Sequence, residues 1–254
     1  EGAAIATNIG RGAGVLMQLW ILFRGGKHIR ILGSQLVLRG SVMLNIVRTS
    51  LGGTGQMIIA TTSWIFLLRI LASIGSEAVA GATIGIRIMM FTLMPAWGMS
   101  NAAATLVGQN LGSQQPERAT AAVWRIGWYN MVFTLSVSVL FFFFHDRIVA
   151  IFSDDARVIA IGGEWLRILS YSYFVYGWWM VSVQAYNGAG DTMTPTWINL
   201  VFFWMIQIPL SWLLAIQLGW QHSGVFWGTF VSETSVGLFT LWLFSRGGWK
   251  KAQV

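Results

Sequence analysis

An apolar run that occurs twice restricts this chain more than any other feature. The first copy spans 2–26 (GAAIATNIGRGAGVLMQLWILFRGG) and the second 224–248 (GVFWGTFVSETSVGLFTLWLFSRGG). Superposed without a gap, Thr7 falls on Thr229, Leu16 on Leu238, Leu19-Trp20 on Leu241-Trp242 and Arg24-Gly25-Gly26 on Arg246-Gly247-Gly248. Each copy offers about 20 apolar residues, the length at which a helix crosses the roughly 30 Å hydrocarbon core of a bilayer. A repeat so widely spaced implies two homologous halves, each closing on the same helix. On that reading the chain begins inside the last helix of a first half and contains the whole second half. The expected fold class is all-α: a polytopic membrane protein with a six-helix bundle plus one preceding helix.

Composition agrees. Hydrophobic residues make up 55% of the chain, charged residues only 10%, and there are 15 tryptophans, which excludes an ordinary soluble domain. The net charge of +7 is not gathered on one soluble face, so nucleic acid is not an expected partner. Without cysteine there are no disulfides or thiolate metal sites, and His28, His145 and His222 have no metal-ligand spacing. Neither a His-Glu-x-x-His motif nor a serine with a base is present. No catalytic residue, metal or cofactor is therefore assigned, and an enzyme is not expected.

In chain order, residues 1–24 read as the last transmembrane helix of the first bundle. Residues 25–50, with Lys27, Arg30, Arg39 and Arg48, read as a cytoplasmic inter-bundle linker ending in an amphipathic surface helix. Residues 51–246 read as the second six-helix bundle, and 247–254 as a cytoplasmic tail. Within the bundle, Gly52-Gly53-Thr54-Gly55 predicts a flexible start to the first helix, since the Lys-Ser/Thr of a phosphate loop is missing. Ser76 is expected to cap a long helix bent at Pro95 and Gly98. Pro116 should open the next, which is expected to end at Phe144 before an interfacial piece at 148–152. A single span from Asp154 to Tyr186 should follow, with Glu164 and Arg167 pairing on one face. A span over 197–218 contains Pro209, and Ser223 should cap the last helix. With the linker cytoplasmic, Arg118, Arg125, Arg246, Lys250 and Lys251 fall on the same side, against Arg69, Arg147 and Arg157 opposite. The location this implies is an inner (plasma) membrane crossed many times.

Three motifs carry a family resemblance. The first runs from an Ala-rich helix with Arg87, through Pro95, Gly98 and the small residues 101–104, to Val107-Gly108-Gln109-Asn110-Leu111-Gly112. The second is QAYNGAGDTMTP at 184–195, and the third is Pro209-Leu210. In this order and spacing they resemble the multidrug and toxic compound extrusion (MATE) transporters. The resemblance implies two six-helix bundles with a cleft between them. It also implies export of organic, often cationic, compounds against inward flow of protons or sodium ions. A lipid-linked saccharide flippase of the same broad superfamily is the alternative. The implied partners are a small organic substrate, the lipid bilayer and the missing first bundle of the same chain. The pattern departs from the sodium-coupled branch. The acid position of its fourth helix falls at about Tyr176, and the first-helix segment 57–68 carries Thr61, Thr62 and Ser63 but no acid. In another branch the coupling aspartate lies in the first half.

Ionisable groups inside a membrane are the default functional candidates. Glu233, near the middle of the last span, is the first ion-coupling candidate and Glu164 the second. The structural alternative for Glu233 is an internal pair with Arg11 or Arg87, the two mid-span cations. Tyr176, Gln184, Tyr173, Asn187 and Met90 are the cargo-cavity candidates. The adjacent Trp178 and Trp179 point about 100° apart and cannot both face one cleft.

Overall fold

The computed structural model describes residues 2–24, 31–32, 34, 36–37 and 39–251. The described residues are helical, with no strand among them. The chain divides into two units, Glu1–Arg48 and Thr49–Val254. The first holds α1 (Gly2–Arg24), whose last turn carries Arg24 with its guanidinium 4.8 Å from the Trp20 ring centre. The first part of the expected linker, including Lys27, His28 and Arg30, lies outside the described residues. Its later part is already helical, because α2 begins at Gly40 and runs unbroken to Ile74.

The second unit continues with α3 (Ser76–Gly112), α4 (Pro116–Ala150), α5 (Ala156–Ser170) and α6 (Tyr173–Gly188). Then come α7 (Met193–Asn199), α8 (Ile208–Trp212) and α9 (Gln221–Ser245). Two π-helical stretches, Leu200–Gln207 and Leu213–Gln217, flank α8, so that 193–217 forms one long helical rod. Pro209 accounts for the first stretch: it has no N–H to give, and its ring crowds the carbonyl one turn back, so the ladder widens before it. Ile208 N, for example, donates to Phe203 O, five residues back, whereas Leu213 N returns to Pro209 O, four residues back. By length and apolar character, α2, α3, α4 and this rod are each able to cross a membrane.

Several expected boundaries move. The glycines at 52–55 do not loosen α2; a Cβ at Gly52 would collide with Thr192, and Thr196 Oγ1 donates to Gly52 O (2.8 Å). Glycine here buys close approach, not flexibility. Ser76 is the first residue of α3 rather than its cap, which is Gly75, and α3 is one continuous helix with Pro95 inside. The phenylalanine run does not end α4, which absorbs 148–150. The span after Asp155 is broken at Tyr171-Ser172 into α5 and α6. Asp155 does cap α5, accepting from Arg157 N (2.8 Å) and Val158 N (3.2 Å).

A core of α3, α4, α5 and α6 is set by small residues at the crossings. A Cβ at Gly127 would strike the Trp178 ring, one at Gly85 the Trp165 ring, and one at Gly188 the backbone of Ala104. Asn130, fully buried on α4, fastens three helices with one amide nitrogen. It lies 3.0 Å from Gly177 O, 3.2 Å from Ser100 Oγ and 3.3 Å from Ala96 O. Alanine at Gly188 is expected to lower the thermal midpoint of the full-length protein in detergent, overpacking costing about 1–3 kcal/mol. Alanine at Gly98, where a Cβ meets nothing within 4 Å, should leave the midpoint equal or higher. Equal losses at both positions would contradict this account of the core.

Candidate functional site

Glu233 sits in the middle of α9 and is 4% exposed. It lines a small cavity of about 40 Å³ together with Ser63 of α2, Tyr176 and Trp179 of α6, and Gln207 at the end of the first π-helical stretch. Such a volume admits a water molecule and little more. On one wall Ser63 Oγ donates to Gln207 Oε1 (2.8 Å), which fixes the amide so that its acceptor side is occupied. The remaining wall is apolar: Ala60, Trp64 and Phe203. Glu233 Oε2 and Trp179 Nε1 are both buried without a hydrogen-bond partner. A carboxylate left this way inside a membrane is costly, by roughly 2.5–3.5 kcal/mol on insertion scales. Within the second unit, no ion pair neutralises it among the described residues.

The internal pair expected with Arg87 is not formed. Arg87 is exposed on α3, on the same face as Met90 (55% exposed), Met94 and Asn101, at helical spacings of three, four and seven. Arg11 is likewise exposed along α1. Glu164 does not pair with Arg167 either. It accepts from Ser223 Oγ (2.6 Å), and His222 Nε2 lies 3.1 Å from its other oxygen. Ser223 thus ties α9 to α5 and does not cap α9, whose cap position is Trp220. Neighbours three apart on one helix lost to partners 58 and 59 positions away because α5 and α9 meet here.

The aromatic candidates separate. Tyr173 belongs to the core: it is 0% exposed, its hydroxyl is 2.7 Å from Thr92 Oγ1, and it also donates to Met89 O (3.3 Å). Tyr176 stacks on Tyr173, meets Trp179 edge-on and reaches the Glu233 cavity. Trp178 turns the other way, against Trp124 and Trp128 of α4. Gln184 and Asn187 form the middle of an amide chain that links three helices. Gln56 Nε2 donates to Thr192 O (3.0 Å) and to Asn187 Oδ1 (3.1 Å). Asn187 Nδ2 donates to Gln184 Oε1 (2.9 Å), and Gln184 Nε2 donates to Asn101 Oδ1. The backbone carbonyl at Thr192 fixes the direction of the whole chain, because an acceptor there demands the Gln56 nitrogen.

Sequence reasoning passed over Ser63 as an acid-free position, read Ser223 as a helix cap and Asn101 as part of a small-residue run, and did not name Gln207 or Gln56. Most sit among other polar residues, as Ser63 does after Thr61-Thr62 and Ser223 after Gln221-His222, so nothing local singles them out. A double-mutant cycle with Gln56→Leu and Asn187→Leu should give a coupling of about 0.6–1.7 kcal/mol in the thermal stability of the full-length protein. Zero coupling would remove the amide chain as an energetic link.

A family model, MatE, matches residues 54–213. Over its whole length the chain is 26% identical to the probable multidrug resistance protein NorM of Thermotoga maritima, covering 54% of it. It is 22% identical to the probable multidrug resistance protein YoeA of Bacillus subtilis, covering 55%. The chain thus spans about half the length of these relatives. Among solved structures, MATE in complex with MaD5 superposes with a TM-score of 0.84 at 18% identity, over 98% of this chain and 55% of that one. MATE in the bent conformation gives 0.83 at 16% identity, over 93% and 52%. Structural likeness at this identity concerns the fold. The family match covers well over half of the chain and includes the Val-Gly-Gln-Asn-Leu-Gly segment, the Gly-Asp-Thr loop and Pro209-Leu210, so this chain belongs to the MATE family of membrane transporters.

Proposed function

We propose that the protein to which this chain belongs exports amphipathic organic compounds by alternating access, driven by inward flow of protons. Glu233 is the group in this half that takes the proton up and gives it away. The family membership and the names of the relatives support multidrug export. The buried, unpaired carboxylate supports ion coupling here, and it is the observation that carries the proposal. Coupling requires that the ion favour one conformation over another by a real free-energy difference. A carboxylate whose desolvation is relieved only by protonation, in a cavity with room for a delivering water, supplies such a difference.

Sodium is the other ion to consider. A metal-sized cation needs several oxygens turned toward it. The Glu233 cavity offers one carboxylate and the Tyr176 phenol, with Ser63 and Gln207 engaged with each other and the rings of Trp64, Trp179 and Phe203 around them. A proton asks only for the carboxylate. The basic residues Arg118, Arg125 and Arg246 support an orientation with that end of the bundle in the cytoplasm, in an inner (plasma) membrane.

Everted membrane vesicles carrying the full-length protein should take up a fluorescent amphipathic dye when an acid-inside gradient is imposed. Glu233→Gln should reduce this to the level of vesicles lacking the protein, while Glu233→Asp retains part of it. Uptake by Glu233→Gln equal to the parent would remove Glu233 from coupling. Uptake driven by a sodium gradient with no pH difference would replace the proton by sodium.

A further inference from the structure

A second group of charges, away from Glu233, gathers where α3 ends and α4 begins. A groove of about 500 Å³ runs between the two helices, lined by Gln109 and Ser113 of α3 and by Arg118 and Arg125 of α4, with Leu106 and Ala122 as its apolar floor. Both arginines are exposed, and no carboxylate among the described residues pairs with either. Arg118 has only a long contact with Gln115 Oε1 (3.4 Å), and Arg125 has no hydrogen bond at all to another described residue. Glu117, the nearest acid in sequence, is not among the residues lining the groove. The seven-residue interval puts the two guanidinium stems on one side of α4, about 10 Å apart along its axis. They converge on the groove without an anion.

The depth of this groove is fixed by independent observations. The 35 residues of α4 rise about 52 Å, against a hydrocarbon core of about 30 Å, so roughly two turns project at each end. Arg118 then stands outside the core and Arg125 at its edge. Trp128 (55% exposed) and Tyr129 (62% exposed) follow directly, and exposed Trp and Tyr mark the level where headgroups meet acyl chains. Two unpaired arginines just above an aromatic belt, over an apolar floor, match a phosphodiester joined to hydrocarbon. Arg suits phosphate through its planar fork of donors, and basic pockets between membrane helices hold anionic headgroups.

We propose that the α3–α4 groove is a binding site for an anionic phospholipid, its phosphate held by Arg118 and Arg125, its glycerol end by Gln109, and its acyl chain laid over Leu106 and Ala122. The lipid bridges the end of α3 to the start of α4, so its binding stabilises the bundle.

The full-length protein, purified in detergent, should retain phosphatidylglycerol in native mass spectrometry. Its thermal midpoint should rise with added phosphatidylglycerol but not with phosphatidylcholine. Retained lipid should fall about fivefold for each of Arg118→Gln and Arg125→Gln, and more in the double variant. Arg118→Lys with Arg125→Lys keeps the charge and should recover part of the loss, which separates lipid binding from misfolding. Undiminished retention by the double Gln variant would overturn the site. So would an equal rise in midpoint with inorganic phosphate alone, which would make the groove a simple anion site.

Discussion

The rest of this structure depends on how closely its helices approach one another. Between membrane helices there is no hydrophobic force to gain, because lipid is as apolar as leucine; contact area and a few hydrogen bonds hold them together. Glycines at the crossings make that contact possible. Gly127 admits the Trp178 ring, Gly85 that of Trp165, and Gly188 the Ala104 backbone, each at a separation no side chain would permit. Gly224 and Gly228 do the same for α9 against the backbone of Ala215 and Ser211. One consequence reaches the site. With walls drawn in this far, the space beside Glu233 is about 40 Å³, enough for a water and not for a cargo molecule.

Close approach also decides which polar groups can exist inside the bundle. Several have partners on another helix: the Asn130 amide nitrogen with three carbonyl or hydroxyl oxygens, Ser63 with Gln207, and Gln56 with Asn187 and onward to Asn101. These bonds fix helix register, for a one-residue slip would leave each donor facing a side-chain carbon. A few buried atoms have no partner, among them Asn130 Oδ1, Trp165 Nε1, Ser182 Oγ, Asn199 Oδ1 and Glu233 Oε2. The free Glu233 oxygen and the free Trp179 N–H belong to the same cavity wall. Of the buried atoms without a partner among the described residues, the Glu233 oxygen alone belongs to an ionisable group, and proton coupling is proposed on that ground.

Much of the helix plan was legible because membrane spans announce themselves by length and apolar character. Pro116, Asp155 and the 187–191 break were legible because proline, an N-cap carboxylate and a glycine-rich turn act locally. What escaped is not local. Tyr171-Ser172 interrupts a span without glycine or proline, and the break is decided by aromatic contacts of Tyr171 with Trp227 and Phe142 on two other helices. Ser76 and Ser223 are good capping types, yet neither caps; Ser223 is drawn to Glu164 on α5 instead. The Gly52–Gly55 run reads as slack in one dimension, and in three its Gly52 and Gly55 meet Thr192 and Thr196. The Glu233 carboxylate could be found from the sequence by its depth, but Gln207 beside it could not, since nothing in the sequence says that Ser63 will stand opposite.

The repeated segment ties these threads together. In α1 the Arg24 guanidinium lies over the Trp20 ring at 4.8 Å, and in α9 Arg246 lies over Trp242 at 4.2 Å. These are equivalent positions of the two copies, one turn apart in each, so the duplication extends from letters to geometry. The contact couples an aromatic ring to a cation at a helix end, where an indole settles at the membrane interface and an arginine reaches water. The middle of the two copies has diverged: Arg11 occupies the position of Glu233. The two segments thus share the cation–ring pair at one end and differ in the charge at the centre. An anchoring end tolerates little change because the bilayer is the same for both halves. A mid-span charge answers only to its own bundle, and in the second copy it is a carboxylate buried beside Ser63, Tyr176 and Gln207.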